Sequence, residues 1–188
     1  MDTSGNTASC QFTVTVTAIG LTNLSPAKLW IGLKNSDDVG TKFDLLAEVL
    51  RNGSVVGSGQ LNDVPGGSSG FNNAVLRTIT LILSSAVPMG PGDTMSFRLS
   101  VRIAATSGHN SGTVRLWYNG AAIDSGPSRD AGSRFDATIG GSTSDYFLRS
   151  PGFTLDTTAG SSRVSVDKLA SNSGGNPWQV VGTWSKTF

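Results

Sequence analysis

The feature that most constrains the fold is a stretch of strict alternation at residues 94–104. Successive side chains of an extended strand point to opposite faces, so this pattern predicts a β-strand with one face in a core and one in solvent. Such a strand must pack its apolar face against another layer. The apolar members are Met95, Phe97, Leu99, Val101 and Ile103, and the polar members are Ser96, Arg98, Ser100 and Arg102.

Shorter segments of the same kind recur between clusters of glycine, asparagine, aspartate and proline. The best turn signal is Asn52-Gly53, because both residues tolerate the positive φ of a type I′ hairpin turn. We predict an all-β fold, a single antiparallel β-sandwich of jelly-roll type with about ten strands. The strands are expected at 28–33, 43–50, 55–61, 74–83, 95–103, 112–119, 145–149, 152–156, 163–166 and 179–184, and a short one at 135–139 within a long loop, 120–143.

The strands at 94–104 and 112–119 are joined by a short turn, so we expect them to be antiparallel neighbours. The apolar residues Val114, Leu116 and Tyr118 would then share a core face with the first strand. The opposite face would carry our predicted ligand-binding residues, Trp117, Arg115, Arg98 and Arg102. Sugar rings stack their C–H faces on exposed aromatic rings, so this face is a candidate glycan platform. The alternative is a structural cation–π contact, in which arginine covers the tryptophan.

The other tryptophans, Trp30, Trp178 and Trp184, are assigned equally well to the core or to its rim. Large aromatic side chains are highly buried on average but seldom completely buried. The sequence therefore does not decide which of these three indoles reaches solvent.

Three carboxylates lie in or beside one predicted loop. Asp37 and Asp38 follow Asn35-Ser36, and Asp44 stands shortly after them. Calcium takes six to eight oxygen ligands, many of them loop carboxylates, so these residues are a candidate calcium site. Ordinary turn chemistry explains the same residues, and the spacing is not that of an EF-hand. A weaker second candidate consists of Asp124, Asp130 and Asp136.

Composition and charge exclude several other functions. Fourteen Lys and Arg against thirteen Asp and Glu give a net charge of +1, without a basic block, so we expect no nucleic-acid partner. No apolar run approaches the roughly 18 residues that a membrane helix needs, so we expect no membrane insertion.

The only histidine, His109, lies in a predicted turn, and no serine stands in a nucleophile elbow. We therefore predict that the chain is not an enzyme.

Residues 2–17 carry a separate signal. A turn at Ser4-Gly5-Asn6 precedes a strand in which Phe12, Val14 and Val16 share one face. The pattern D-x-S-G-N-x-A-x-C-x-F-x-V-x-V resembles the last strand of a HYR (hyalin-repeat) domain, an immunoglobulin-like module of extracellular proteins. The resemblance implies that residues 1–18 are the terminal strand of a preceding HYR-like domain, and that 19–188 form the β-sandwich module.

The single cysteine, Cys10, lies within this segment. The resemblance implies that Cys10 pairs with a cysteine earlier in the same HYR-like domain, which this chain does not contain. A reduced compartment is the alternative explanation of a lone cysteine. With the first explanation, we expect the chain to be the end of a longer, secreted or cell-surface protein.

Taken together, these patterns predict a non-enzymatic extracellular module. The leading function is binding of a polysaccharide or glycan through an aromatic-bearing sheet face or loop end, an expectation that rests partly on analogy with other jelly rolls. The alternative is a structural or adhesive domain that contacts protein chains. In that case the strand at 2–17 would add to the main sheet or to another chain, allowing self-association.

The calcium hypothesis has a direct test. A cation that binds only the native state stabilises it by mass action, so thermal melts with excess calcium and with a chelator should differ by several degrees. Coincident melting curves would contradict a calcium site at Asp37, Asp38 and Asp44.

Overall fold

The computed structural model describes residues 19–33, 40–66, 73–120, 132–172 and 175–188. The chain is all-β, and its described part contains thirteen strands joined in one open mixed sheet. The strands are β1 (Ile19–Leu33), β2 (Lys42–Arg51), β3 (Ser54–Pro65), β4 (Val75–Ile79), β5 (Ile82–Leu83), β6 (Val87–Met89), β7 (Thr94–Ile103), β8 (Ser111–Tyr118), β9 (Arg134–Ile139), β10 (Ser142–Arg149), β11 (Thr154–Asp156), β12 (Val164–Ser171) and β13 (Gln179–Thr187).

Hydrogen bonding connects the strands in the order β12-β8-β1-β9-β10-β11-β13-β7-β2-β3-β5, while β4 and β6 also pair with β1. Strand β1 is long enough to pair with β9 over its first part and with β8 over its last part. All pairs are antiparallel except β11 with β13. Among the described residues, no helix has the length and apolar character needed to cross a membrane.

The predicted alternation of β7 is confirmed. Its apolar side chains are all buried, and those of β8 are buried as well. The ring of Phe97 on β7 stacks on Phe135 of β9, with centroids 5.1 Å apart, although three strands separate β7 from β9 in the sheet. The sheet therefore curves so that distant strands contribute side chains to one core.

The Asn52-Gly53 hairpin is also confirmed, since β2 and β3 flank these two residues, and Asn52 and Gly53 both have positive φ (48° and 84°).

The count of about ten strands is wrong. The short strand β6, which contains Pro88, was not expected. The short strand predicted at 135–139 is confirmed as β9, but the loop predicted to continue to 143 is wrong there, since β9 and β10 form a hairpin around Gly140-Gly141, which also have positive φ.

The predicted pairing of 94–104 with 112–119 is wrong. Strand β7 pairs with β2 and β13, whereas β8 pairs with β1 and β12. The connection between them crosses from one part of the curved sheet to another. The apolar side chains of β7 and β8 still face the common core, so both stripes are buried although the two strands do not pair with each other. Consequently the outer faces of β7 and β8 do not form one continuous surface.

The outer side of β9 and β10 places two carboxylates opposite each other. Asp136 and Asp145 are cross-strand partners, and Arg134 lies 3.6 Å from Asp145. Burial, and then the neighbouring Asp145, raise the pKa of Asp136 from its ordinary value of 3.8 to about 6, although Lys28 and Arg134 oppose this shift. Between those two pH values the native state binds more protons than the unfolded state, so stability falls as pH rises from about 4 to about 6.

Asp136→Asn should therefore stabilise the protein near neutral pH. We expect the melting temperature to rise by about 2–4 °C at about pH 7.5, after allowance for solvent screening of a half-buried group. Below about pH 4 the wild-type carboxyl is protonated in both states, and the gain should disappear. A gain that does not depend on pH, or a loss at neutral pH, would contradict this assignment.

Candidate functional site

The outer face of β2 and β7 carries two cross-strand ion pairs. Arg98 donates from Nε to Glu48 at 2.8 Å, and Arg102 donates from Nε to Asp44 at 2.9 Å. Each arginine lies directly opposite its carboxylate in the strand register. The hydrogen bond that Arg98 donates to Glu48 raises the pKa of Arg98 above its ordinary value. The alternation that buries one side of these strands therefore produces a charged, ordered surface on the other.

At the end of this surface, beside the second ion pair, the chain forms a polar cleft of about 220 Å³. We call it the Arg102 cleft. It is smaller than the roughly 300–1,000 Å³ typical of pockets for drug-sized ligands, so it suits one small polar unit of a larger ligand. The lining residues are Asp44, Asn62, Asp63, Arg102, Ala105 and Thr106.

A β-bulge gives Asp63 its position. In the pairing of β2 with β3 the register shifts between Phe43 and Leu45, so that Asn62 and Asp63 together oppose Asp44. Asp63 has a φ of 55°, a left-handed conformation that aspartate tolerates better than most residues. Bulges redirect side chains and are over-represented beside functional sites. Here the bulge presents an exposed carboxylate to the cleft.

Asp44 connects the parts of the cleft. It is only 5% exposed, and each of its carboxylate oxygens accepts a hydrogen bond. Oδ1 accepts from the backbone N–H of Asp63 at 3.1 Å, and Oδ2 accepts from Arg102. The hydroxyl of Thr106, from the turn after β7, donates to the Asp63 carboxylate. One buried carboxylate thus orients both the bulge and the arginine.

The indole of Trp178 completes this region from the segment before β13. The guanidinium carbon of Arg102 lies 4.4 Å from the ring centroid, a cation–π distance. Asn176 fixes the segment, since its side-chain amide donates to the Ile103 carbonyl and accepts from the Ile103 N–H at 3.2 Å. Trp178 is half-buried and contacts Arg102, one of the residues that line the cleft.

The predicted residues Trp117 and Arg115 lie elsewhere, on the outer face of β8. The guanidinium carbon of Arg115 is 5.6 Å from the Trp117 centroid, and Arg115 also donates two hydrogen bonds to Asp167 on β12, at 2.6 and 2.8 Å. These bonds raise the pKa of Arg115. The structure therefore separates the four predicted ligand-binding residues into two pairs, with Arg98 and Arg102 on a different part of the sheet.

Of the predicted calcium ligands, only Asp44 lies within the described residues, and it is engaged by Arg102 and by the Asp63 backbone. Asp37 and Asp38 lie outside them, as do Asp124 and Asp130 of the second candidate site. No group of three or more histidine, cysteine, aspartate or glutamate residues in the described part of the chain could hold a metal ion. The calcium site stays a prediction, as does the HYR resemblance, because residues 1–18 are not described.

Sequence reasoning missed the residues of the cleft that come from outside β2 and β7. Asn62-Asp63 was a usable signal, because two turn-forming residues at the end of an alternating strand indicate a bulge. Trp178 carried no signal that separated it from the core residue Trp184, which is fully buried. Arg102 and Asp44 were both identified, but for two different sites, and only the register of β2 with β7 brings them together.

No protein-family model, no curated protein and no solved structure matches the chain.

Proposed function

We propose that the chain is a non-enzymatic, extracellular carbohydrate-binding module, and that the Arg102 cleft is its glycan-binding site. The observation that carries the proposal is the contact between the half-buried indole of Trp178 and the guanidinium of Arg102, beside a polar cleft. A sugar residue offers apolar C–H faces and a ring of hydroxyl groups. An aromatic surface and closely spaced donors and acceptors are complementary to both features.

The polar groups have the required chemistry. A sugar hydroxyl both donates and accepts, and neighbouring hydroxyls commonly bind a carboxylate and a cation together. In the Arg102 cleft Asp63 supplies an exposed acceptor. Arg102 keeps 34% of its side-chain surface exposed and retains terminal N–H groups beyond the Nε bonded to Asp44. Asn62 and Thr106 add further groups of both kinds.

We also propose that the curved sheet forms the two layers of a jelly-roll-like sandwich. The stacking of Phe97 on Phe135, across strands that are distant in the sheet, supports facing layers. In such an arrangement β2, β3, β7 and β13 belong to one layer, whose outer face includes the Arg102 cleft. Secretion or display on a cell surface is part of the same proposal and rests on the HYR-like pattern of residues 2–17.

A second candidate function, protein–protein adhesion, is favoured by the two ends of the sheet. Among the described strands, β5 ends the sheet on one side with Ile82, which is 70% exposed, and β12 ends it on the other side with Leu169, which is 62% exposed. Edge strands with exposed apolar residues can add to a neighbouring sheet. A concentration-dependent mass in solution, abolished by Ile82→Lys or Leu169→Lys, would support this candidate over glycan binding.

Binding should depend on Trp178 and not on Trp117. In assays with insoluble cellulose and chitin, and in titrations with soluble xylan, mannan and galactan, Trp178→Ala should reduce affinity by about 1–3 kcal/mol, by analogy with base stacking on aromatic residues. Asn62→Ala, at an exposed lining position, should weaken binding with little effect on the melting temperature. Ser58→Ala, on the same strand but outside the lining, is the matched control and should bind like wild type.

Failure of the wild-type chain to bind any polysaccharide would contradict the proposed function. Loss of binding in Trp117→Ala with normal binding in Trp178→Ala would move the site to the outer face of β8. Melting temperatures of all four variants distinguish loss of a contact from loss of the fold.

A further inference from the structure

We infer that the Arg102 cleft selects uncharged glycans and rejects acidic ones, and that Asp63 is the residue that discriminates between them. This inference rests on the proposed function. It starts from the charges that line the cleft, which are two carboxylates, Asp44 and Asp63, and one guanidinium, Arg102. The described lining residues therefore have a formal charge of −1, and an acidic ligand would add a further negative charge.

The positive charge of Arg102 is already neutralised. Its Nε donates to a carboxylate that is almost fully buried, and its guanidinium carbon lies 4.4 Å from the centroid of the Trp178 ring. A guanidinium in a close ion pair offers hydrogen-bond donors to a ligand but little net positive field. Lys42 lies on the same face of β2 but outside the lining. Among the lining residues that the structure describes, there is thus no uncompensated cation of the kind with which sites for uronate or sulfate groups attract their ligands.

The charge of Asp63, unlike that of Asp44, is not paired with Arg102. Within the described part of the chain Asp63 makes no salt bridge, and its side chain accepts a hydrogen bond from the neutral hydroxyl of Thr106. The bulge and the hydrogen bond from its own N–H to Asp44 hold it at the cleft. A hydroxyl can donate to this carboxylate, whereas a carboxylate or sulfate cannot donate and is repelled by it.

The substitution Asp63→Asn tests this directly. Asparagine has nearly the same shape, tolerates positive φ, and can still accept from Thr106, but it carries no charge. It should lose part of its affinity for the neutral polysaccharide that the wild-type chain binds best, because a neutral amide oxygen accepts from sugar hydroxyls less strongly than a carboxylate does. It should also gain affinity for acidic polymers at low ionic strength, by about fivefold or more relative to wild type, and this gain should shrink as salt screens the charge.

The experiment compares wild type and Asp63→Asn on three probes. The first is the best-binding neutral polysaccharide among cellulose, chitin, xylan, mannan and galactan. The second is the same polymer after oxidation of primary hydroxyls to carboxylates, or carboxymethylation where it has none. The third is polygalacturonate. We expect wild type to prefer the neutral polymer and Asp63→Asn to lose most of that preference, with an unchanged melting temperature.

Two results would overturn the inference while leaving carbohydrate binding intact. The first is wild-type binding of polygalacturonate or the acidic derivative as tightly as the neutral polymer. The second is a preference for neutral polymers that is the same in Asp63→Asn as in wild type. Binding to none of the probes, by contrast, would count against the proposed function itself.

Discussion

The register between β2 and β7 is the constraint on which both the core and the candidate site depend. It runs from Phe43 opposite Ile103 to Arg51 opposite Met95. Because side chains alternate, the register that buries Phe97 also brings Arg102 opposite Asp44. A slip of one residue would turn the charged side chains toward the core and expose the apolar stripe. The polar surface is therefore a geometric consequence of the same pairing that forms the hydrophobic interior.

Within that surface the buried carboxylate of Asp44 has a positioning role. Desolvation offsets much of the attraction in a buried ion pair, so the pair with Arg102 adds little net stability. Its value is geometric, because one oxygen of Asp44 fixes the guanidinium and the other fixes the backbone of Asp63. We interpret Asp44 as the residue that brings the exposed polar groups of the cleft into a constant arrangement, whereas Asp63, Asn62 and Trp178 are the residues that we propose to contact a glycan.

The sequence predicted local structure better than it predicted pairing. Alternation alone correctly identified β7 and its buried face, and Asn52-Gly53 correctly marked a hairpin, because both signals depend on neighbouring residues. The strands that pair with β7 could not be derived in the same way, because an apolar stripe shows that a strand faces the core but not which strands lie beside it. Strand β1 shows a related limit. A strand was expected only at 28–33, yet β1 begins at Ile19 and continues with a register shift between Leu24 and Ala27.

For the candidate site, too, the local pattern was predicted correctly and the pairing of strands was not. Trp117 and Arg102 were correctly placed on outward faces, but their presumed proximity depended on a pairing that does not exist. The cleft instead combines three separate segments, at 44, 62–63 and 102–106, and Trp178 contacts its Arg102 from a fourth. Contacts between segments so distant in sequence depend on the tertiary fold, and the bulge at Asp63 is one more feature that periodicity does not specify.

The central claim is that the ligand binds beside Trp178. The most direct test is a nitrogen-15 NMR titration with a neutral oligosaccharide that follows the indole N–H resonances of the four tryptophans. Binding beside Trp178 should shift the Trp178 resonance most, while those of Trp117 and of the buried Trp30 and Trp184 should change little. A dominant shift at Trp117, with Trp178 unmoved, would contradict it.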